Sequence, residues 1–173
     1  MAKYRKKIKT AVKRAIEKYH RVKISKCVNV YLNSSGFTIN GAAQAYALDG
    51  VITDNNSAYQ TLGKDYTMVK LRGVLLECSP WYVFGQGSFV LSLMQSLEAN
   101  NAGVGSQPNC MVCSAHEVTR KYIKIDGPYE STSVFNTLSN LKIGYQVIGS
   151  ANSETHFYFL LKITLYLSFK SNM

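Results

Sequence analysis

The chain has one Trp, three Pro, three His and ten acidic residues in 173 positions, and each scarcity excludes something. Acids spread singly offer no pair of carboxylates for general acid and base work. His116 beside Glu117 and His156 near Glu154 read as polar residues at strand ends rather than proton carriers. A cupin-type metal centre needs clustered His and acid side chains, and no such cluster is visible. Gly85-Gln86-Gly87 and Gly103-Val104-Gly105 lack the further glycine, the Lys and the strand-to-helix setting of a phosphate loop, so both read as turns.

Cysteine is sparse as well: Cys27, Cys78, Cys110 and Cys113. Cys110-x-x-Cys113 followed by His116 would supply three zinc ligands where a structural site needs four, and no second pair is suitably spaced. Reduced cysteines packed as small apolar residues are the expectation. Asp49, Asp54 and Asp65 could meet a hard cation between subunits, but loop aspartates are commonly solvated turn formers. No metal, no cofactor and no enzymatic activity is expected. No apolar run reaches the roughly 20 residues needed to cross a bilayer. The start of the chain is too charged for a secretory signal, so the expectation is a soluble protein made in the cytosol, without membrane insertion.

What the chain does have is charge in one place. Residues 1–26 hold eleven cations, Lys3, Arg5, Lys6, Lys7, Lys9, Lys13, Arg14, Lys18, Arg21, Lys23 and Lys26, against Glu17 alone. Residues 27–173 hold nine charges of each sign and sum to zero. A terminal block of like charge repels itself and suits a polyanion. Two domains are therefore expected: a basic arm over 1–26 and a neutral body over 27–173.

Ile8, Val12, Ile16 and Tyr19 recur at helical spacing within the arm, with cations on the other faces. A helix this short is marginal alone and orders against a partner. Its apolar face has no Trp, Phe or Leu to anchor it in a membrane, whereas Tyr4, Tyr19 and His20 could stack on unpaired bases. Single-stranded nucleic acid is the better partner, with all eleven cations as the candidate contacts.

The body reads as strands. Twelve Tyr and seven Phe favour the β state. Cys27 to Asn33 alternates, with Val28, Val30 and Leu32 on one side. Residues 36–65 read as a long connection with small strands or a helical turn. Strands are expected over 66–78, 82–97, 110–114, 117–125, 133–138 and 141–148, with a surface loop over 99–109. In the last segment Phe157, Phe159, Leu161, Ile163, Leu165, Leu167 and Phe169 take every second position. Tyr158, Lys162, Thr164, Tyr166, Ser168 and Lys170 share the other face. About eight strands, no convincing helix in the body and one long terminal strand imply an all-β, two-sheet sandwich: an eight-stranded antiparallel jelly roll with a helical arm.

This order of elements resembles the coat proteins of the smallest icosahedral viruses. Lys3-Tyr-Arg-Lys-Lys-Ile-Lys-Thr-Ala-Val-Lys-Arg-Ala-Ile is similar to the arms of satellite plant viruses and of circular, Rep-encoding single-stranded DNA viruses. Tyr46-Ala-Leu-Asp-Gly-Val-Ile-Thr-Asp and Gly63-Lys-Asp-Tyr-Thr-Met-Val-Lys-Leu-Arg-Gly resemble the segment leading into their second long strand. The resemblance implies a capsid protein that assembles with itself, sixty copies in the simplest case, into a shell whose inward arms package a single-stranded genome, DNA favoured over RNA. It implies the virion as location, with a host nuclear stage allowed by the Lys/Arg clusters. Sixty such arms would bring about 600 positive charges, enough to neutralise roughly several hundred to a thousand nucleotides, with mobile cations offsetting the rest. The rival is a cellular nucleic-acid-binding β-domain with a basic tail, which would carry cations and aromatics on a sheet face. The nine cations of the body look scattered in sequence.

Overall fold

The computed structural model describes residues 20–33, 36–39, 46–54, 56–84, 88–95, 108–114, 116–148 and 156–171. The stripe Ile8, Val12, Ile16 and Tyr19 therefore lies outside the described residues, as does most of the loop expected over 99–109.

Among the described residues, ten strands form two antiparallel sheets. They are β1 (His20–Asn33), β2 (Gly36–Ile39), β3 (Tyr46–Ala47), β4 (Met68–Phe84), β5 (Ser88–Gln95), β6 (Met111–Cys113), β7 (Thr119–Lys124), β8 (Glu130–Ser131), β9 (Leu141–Ile148) and β10 (His156–Lys170). One sheet runs β2-β1-β10-β4-β7, with β8 also on β4, and the other runs β3-β9-β5-β6. Setting aside the short β2 and β8, the pairing is nested. The first main strand pairs with the last (β1 with β10), the second with the next to last (β3 with β9), β4 with β7, and β5 with β6. A hairpin of four nested pairs rolled into two facing sheets is a jelly roll, the architecture expected from the strand count.

The terminal strand anchors the core as its alternation requires. Phe159, Leu161, Ile163, Leu165, Leu167 and Phe169 are all buried. Facing them from the other sheet are Phe89, Leu91, Leu93 and Ile143. Phe89 meets Phe159 edge-on at 4.5 Å between ring centroids. β10 lies centrally between β1 and β4, so its backbone is hydrogen-bonded on both sides. That placement explains why so apolar a strand is buried along its length rather than exposed at an edge.

Three sequence expectations are corrected. β1 starts at His20, not at Cys27, so the boundary drawn by charge at residue 26 falls inside a strand. β4 continues through Pro80 to Phe84 instead of stopping at Cys78. Its neighbour β7 ends opposite Cys78, so Pro80 meets no ladder on that side, where its missing N–H would otherwise cost a bond. The body also contains helices: α1 (Asp49–Asp54), α2 (Asn56–Asp65) and α3 (Asn136–Asn140). Residues 133–138, expected as a strand, pack Phe135 and Leu138 inward three positions apart, which is helical spacing. Glu130 holds the start of α3, accepting from the Thr137 backbone N–H at 3.1 Å and from the Thr137 hydroxyl. Tyr59 of α2 and Tyr66 just after it close one end of the sandwich, their rings 5.8 and 5.9 Å from Phe169.

β4 carries two bulges against β10. The register steps from Tyr166 opposite Gly73 to Leu167 opposite Leu71, skipping Arg72, and from Tyr158 opposite Tyr82 to Phe159 opposite Pro80, skipping Trp81. A bulge adds a residue and resets alternation. Val69 and Leu71 accordingly face the core on one side of the Arg72 bulge, and Val74, Leu76 and Cys78 on the other.

Candidate nucleic-acid interface and assembly surface

Of the eleven arm cations, Lys3, Arg5, Lys6, Lys7, Lys9, Lys13, Arg14 and Lys18 lie outside the described residues. Arg21, Lys23 and Lys26 belong to β1, and strand parity separates them. Arg21 and Lys23 are exposed on the face of the sheet that looks away from the core. Lys26 has the parity of the buried Ile24 and Val28, and its ammonium reaches the Gly50 carbonyl of α1 at 3.4 Å. The cross-sheet row is Lys26, Ile163, Leu76, Lys121. At its far end Lys121 donates to the Cys110 carbonyl at 2.7 Å and to the Pro108 carbonyl at 3.4 Å. Both lysines lay their stems along the core and bring their charge to backbone oxygens at its rim.

The outer face of the same sheet gathers the cations that look scattered in sequence. Register and alternation put Lys70 and Arg72 of β4, Arg120 and Lys124 of β7, and Lys162 and Lys170 of β10 on it. Six of the nine body cations thus share one face with Arg21 and Lys23, and among the described residues of these strands and of 125–129 only Glu77 and Asp126 oppose them. Glu77 accepts from the Arg120 guanidinium at 2.8 Å. Sequence reading missed this face because adjacency across strands, and the bulge that turns Arg72 outward, are not visible along the chain.

The charge is densest at the end where β1 begins. The row Arg21, Ser168, Lys70 lies beside the row Lys23, Tyr166, Gly73, Lys124, with Arg72 at the bulge between them. Arg21, Lys70, Arg72, Asp126, Tyr129 and Ser168 line a cleft of about 270 Å³. Lys70 pairs with Asp126 at 2.6 Å and sits 5.7 Å from the Tyr129 ring centroid. The Tyr129 hydroxyl is 3.3 Å from the Ser168 hydroxyl. The Lys70 hydrogen bond and charge hold the Asp126 carboxyl below its usual range, with Lys124 and Arg72 adding to the pull. That carboxyl therefore reports a positive local field. Arg21 and Arg72 form no ion pair among the described residues.

Aromatic rings stand among these cations. Lys23 lies 5.1 Å from the centroid of the Tyr166 ring, which Tyr122 meets edge-on at 5.3 Å. Tyr122 is 50% exposed and covers Gly73, where a Cβ would collide with its ring. The opposite end of the same face is apolar. Trp81, at the second bulge, is 74% exposed, and Tyr158 and Leu160 stand open nearby on β10. Tyr31 lies 4.6 Å from Tyr158 between ring centroids.

The sequence's other candidates are dispersed. Cys113 is buried beside Cys78, whose hydrogen bond and burial together push the Cys113 thiol up. Cys110 is half-buried and His116 exposed, and no group of three or more metal-ligating side chains gathers among the described residues. Asp49 and Asp54 fall in α1 and Asp65 ends α2. No helix among the described residues is long and apolar enough to cross a membrane.

Nested pairing over two facing sheets defines the fold as a jelly roll. No family model matches the sequence and no curated protein matches it. Solved structures do. The 60-mer BFDV capsid protein superposes at a TM-score of 0.55 and 10% identity, covering 90% of this chain and 95% of that one. The nodavirus of the giant freshwater prawn Macrobrachium rosenbergii, solved as a semi-empty virus-like particle, gives 0.61 at 9% identity over 91% and 86%. Mud crab tombus-like virus gives 0.58 at 7% identity over 91% and 83%. The fold of this chain is a jelly roll similar to that of these viral structures.

Proposed function

We propose that the chain is a viral capsid protein, non-enzymatic, that assembles into a small icosahedral shell and packages a single-stranded genome. The observation that carries this reading is the nested eight-strand topology, a fold that superposes over nine-tenths of the chain on coat proteins, one of them a 60-mer. Packaging is assigned to the eleven cations of residues 3–26, Lys26 contributing least because its ammonium is engaged with Gly50. DNA is favoured over RNA on the arm's resemblance, and the virion is the location.

Two physical features support the reading. The body is neutral, so many copies pack side by side without strong repulsion. Exposed Trp81, Tyr158 and Leu160 form the kind of aromatic patch that subunit contacts bury. Negative-stain imaging of the purified full-length protein tests the shell: closed particles are expected, and monomers or small oligomers at every salt and pH would end the reading. Deleting residues 1–19 leaves β1 whole. Particles of that variant, which loses eight of the eleven arm cations, should hold far less nucleic acid, and unchanged nucleic-acid content would remove the arm's role.

A further inference from the structure

We propose that the cleft lined by Arg21, Lys70 and Arg72, on the outer face of the β1-β10-β4-β7 sheet, takes a phosphodiester of single-stranded nucleic acid, with the neighbouring base stacked on Tyr122. The inference rests on the nucleic-acid partner proposed above but not on the shell.

Four observations carry it. The cleft holds three cations against one carboxylate, and that carboxylate is committed to Lys70. Arg21 and Arg72, without an ion-pair partner among the described residues, present guanidinium forks suited to paired phosphate oxygens. Tyr122 covers the glycine next to Arg72 and is half exposed, so a base on its ring keeps its own phosphate near the Arg72 guanidinium. Finally, Arg21 is the second residue of β1 and follows the cationic segment directly in sequence, so the cleft lies at the start of β1.

A lipid surface is the poorer fit, because a membrane-binding face needs apolar anchors beside its cations. Here the exposed Trp81, Tyr158 and Leu160 lie at the other end of the sheet. A sulfated polysaccharide would also satisfy the charges, and the heparin measurement below separates it from the oligomer. Lys23 and Lys124, in the adjoining row, extend the positive path toward neighbouring phosphates.

The test uses the full chain, unaltered and as Arg21→Ala/Arg72→Ala, with a fluorescein-labelled oligothymidylate titrated at several salt concentrations. Two lost phosphate contacts should lower affinity about tenfold near 0.1 M salt and flatten the salt slope by about 1.4, at roughly 0.7 per single-strand contact. Photocrosslinking of the unaltered chain to a bromodeoxyuridine oligomer needs no variant and should mark Tyr122. Unchanged affinity and slope, or crosslinks confined to residues 1–19, would overturn the cleft. So would a tenfold loss for heparin with none for the oligomer. If the unaltered chain fails to bind the oligomer at all, the packaging reading falls with it. Absence of particles alone would sink the shell and leave this result standing.

Discussion

Phe89 on β5 and Phe159 on β10 meet edge-to-face at 4.5 Å with their planes at 67°, and both are fully buried where the two sheets pack. Phe159→Ala should cost about 3–5 kcal/mol, the transfer energy of the ring plus the cavity it leaves. Phe159→Leu, which refills much of that space, should cost less than half as much. Urea unfolding of the two variants measures both; equal losses would show that ring geometry, not volume, dominates the contact.

Gly73 exists to admit Tyr122. Gly73→Ala should destabilise the fold by about 1–3 kcal/mol because the methyl group and the ring claim the same space. Adding Tyr122→Ala removes the obstruction, so the double variant should be more stable than the two single losses summed, a coupling that a thermal-denaturation cycle reads directly.

Trp81 is so exposed that Trp81→Ala should shift subunit stability by no more than about 0.5 kcal/mol. Assembly is the sensitive readout. Particle yield in size-exclusion chromatography should fall several-fold while the melting of the dissociated subunit stays put. A normal yield would place the subunit contacts elsewhere.

Burial, aided by the Glu130 charge, pushes the Tyr59 phenol up from 10.0 to about 12. The folded state then keeps its proton when the unfolded chain has lost it. Stability from this residue is complete below pH 10 and is lost as pH rises through about 12. Tyr59→Phe removes that dependence along with the hydrogen bond to the Thr132 carbonyl at 3.0 Å. The variant should be less stable at neutral pH, by about 1 kcal/mol, yet decline less steeply between pH 10 and 12. Unfolding free energies across that range check the slope.

Thiol labelling distinguishes the cysteines by burial. A thiol reagent at mildly alkaline pH should modify exposed Cys27 quickly and half-buried Cys110 more slowly. Cys78 and Cys113 should react only on unfolding, since burial and their mutual hydrogen bond keep Cys113 in the thiol form. Rapid labelling of all four in the native protein would contradict the packed core.

Much of the fold was legible along the chain, and for a physical reason: a sheet packed on one side imposes a period of two, and the buried residues Phe159, Leu161, Ile163, Leu165, Leu167 and Phe169 of β10 keep it. Where the period was broken, reading failed. The Arg72 bulge resets alternation in β4, Pro80 mimics a strand end, and Phe135 with Leu138 hides a helical turn inside an apparent strand.

The amino-acid sequence by itself determined the segregation of charge into residues 1–26, the apolar face of the last strand and the poverty in catalytic groups, since composition and local period need no partner. Tertiary structure alone decided which cations lie together. Nested pairing set β1 beside β10 and β10 beside β4, bringing Arg21 within one cleft of Lys70 and Arg72 while turning Lys26 to the core side. Electrostatic fields depend on distance in space, and residues some fifty positions apart in a chain become neighbours only when a sheet closes between them.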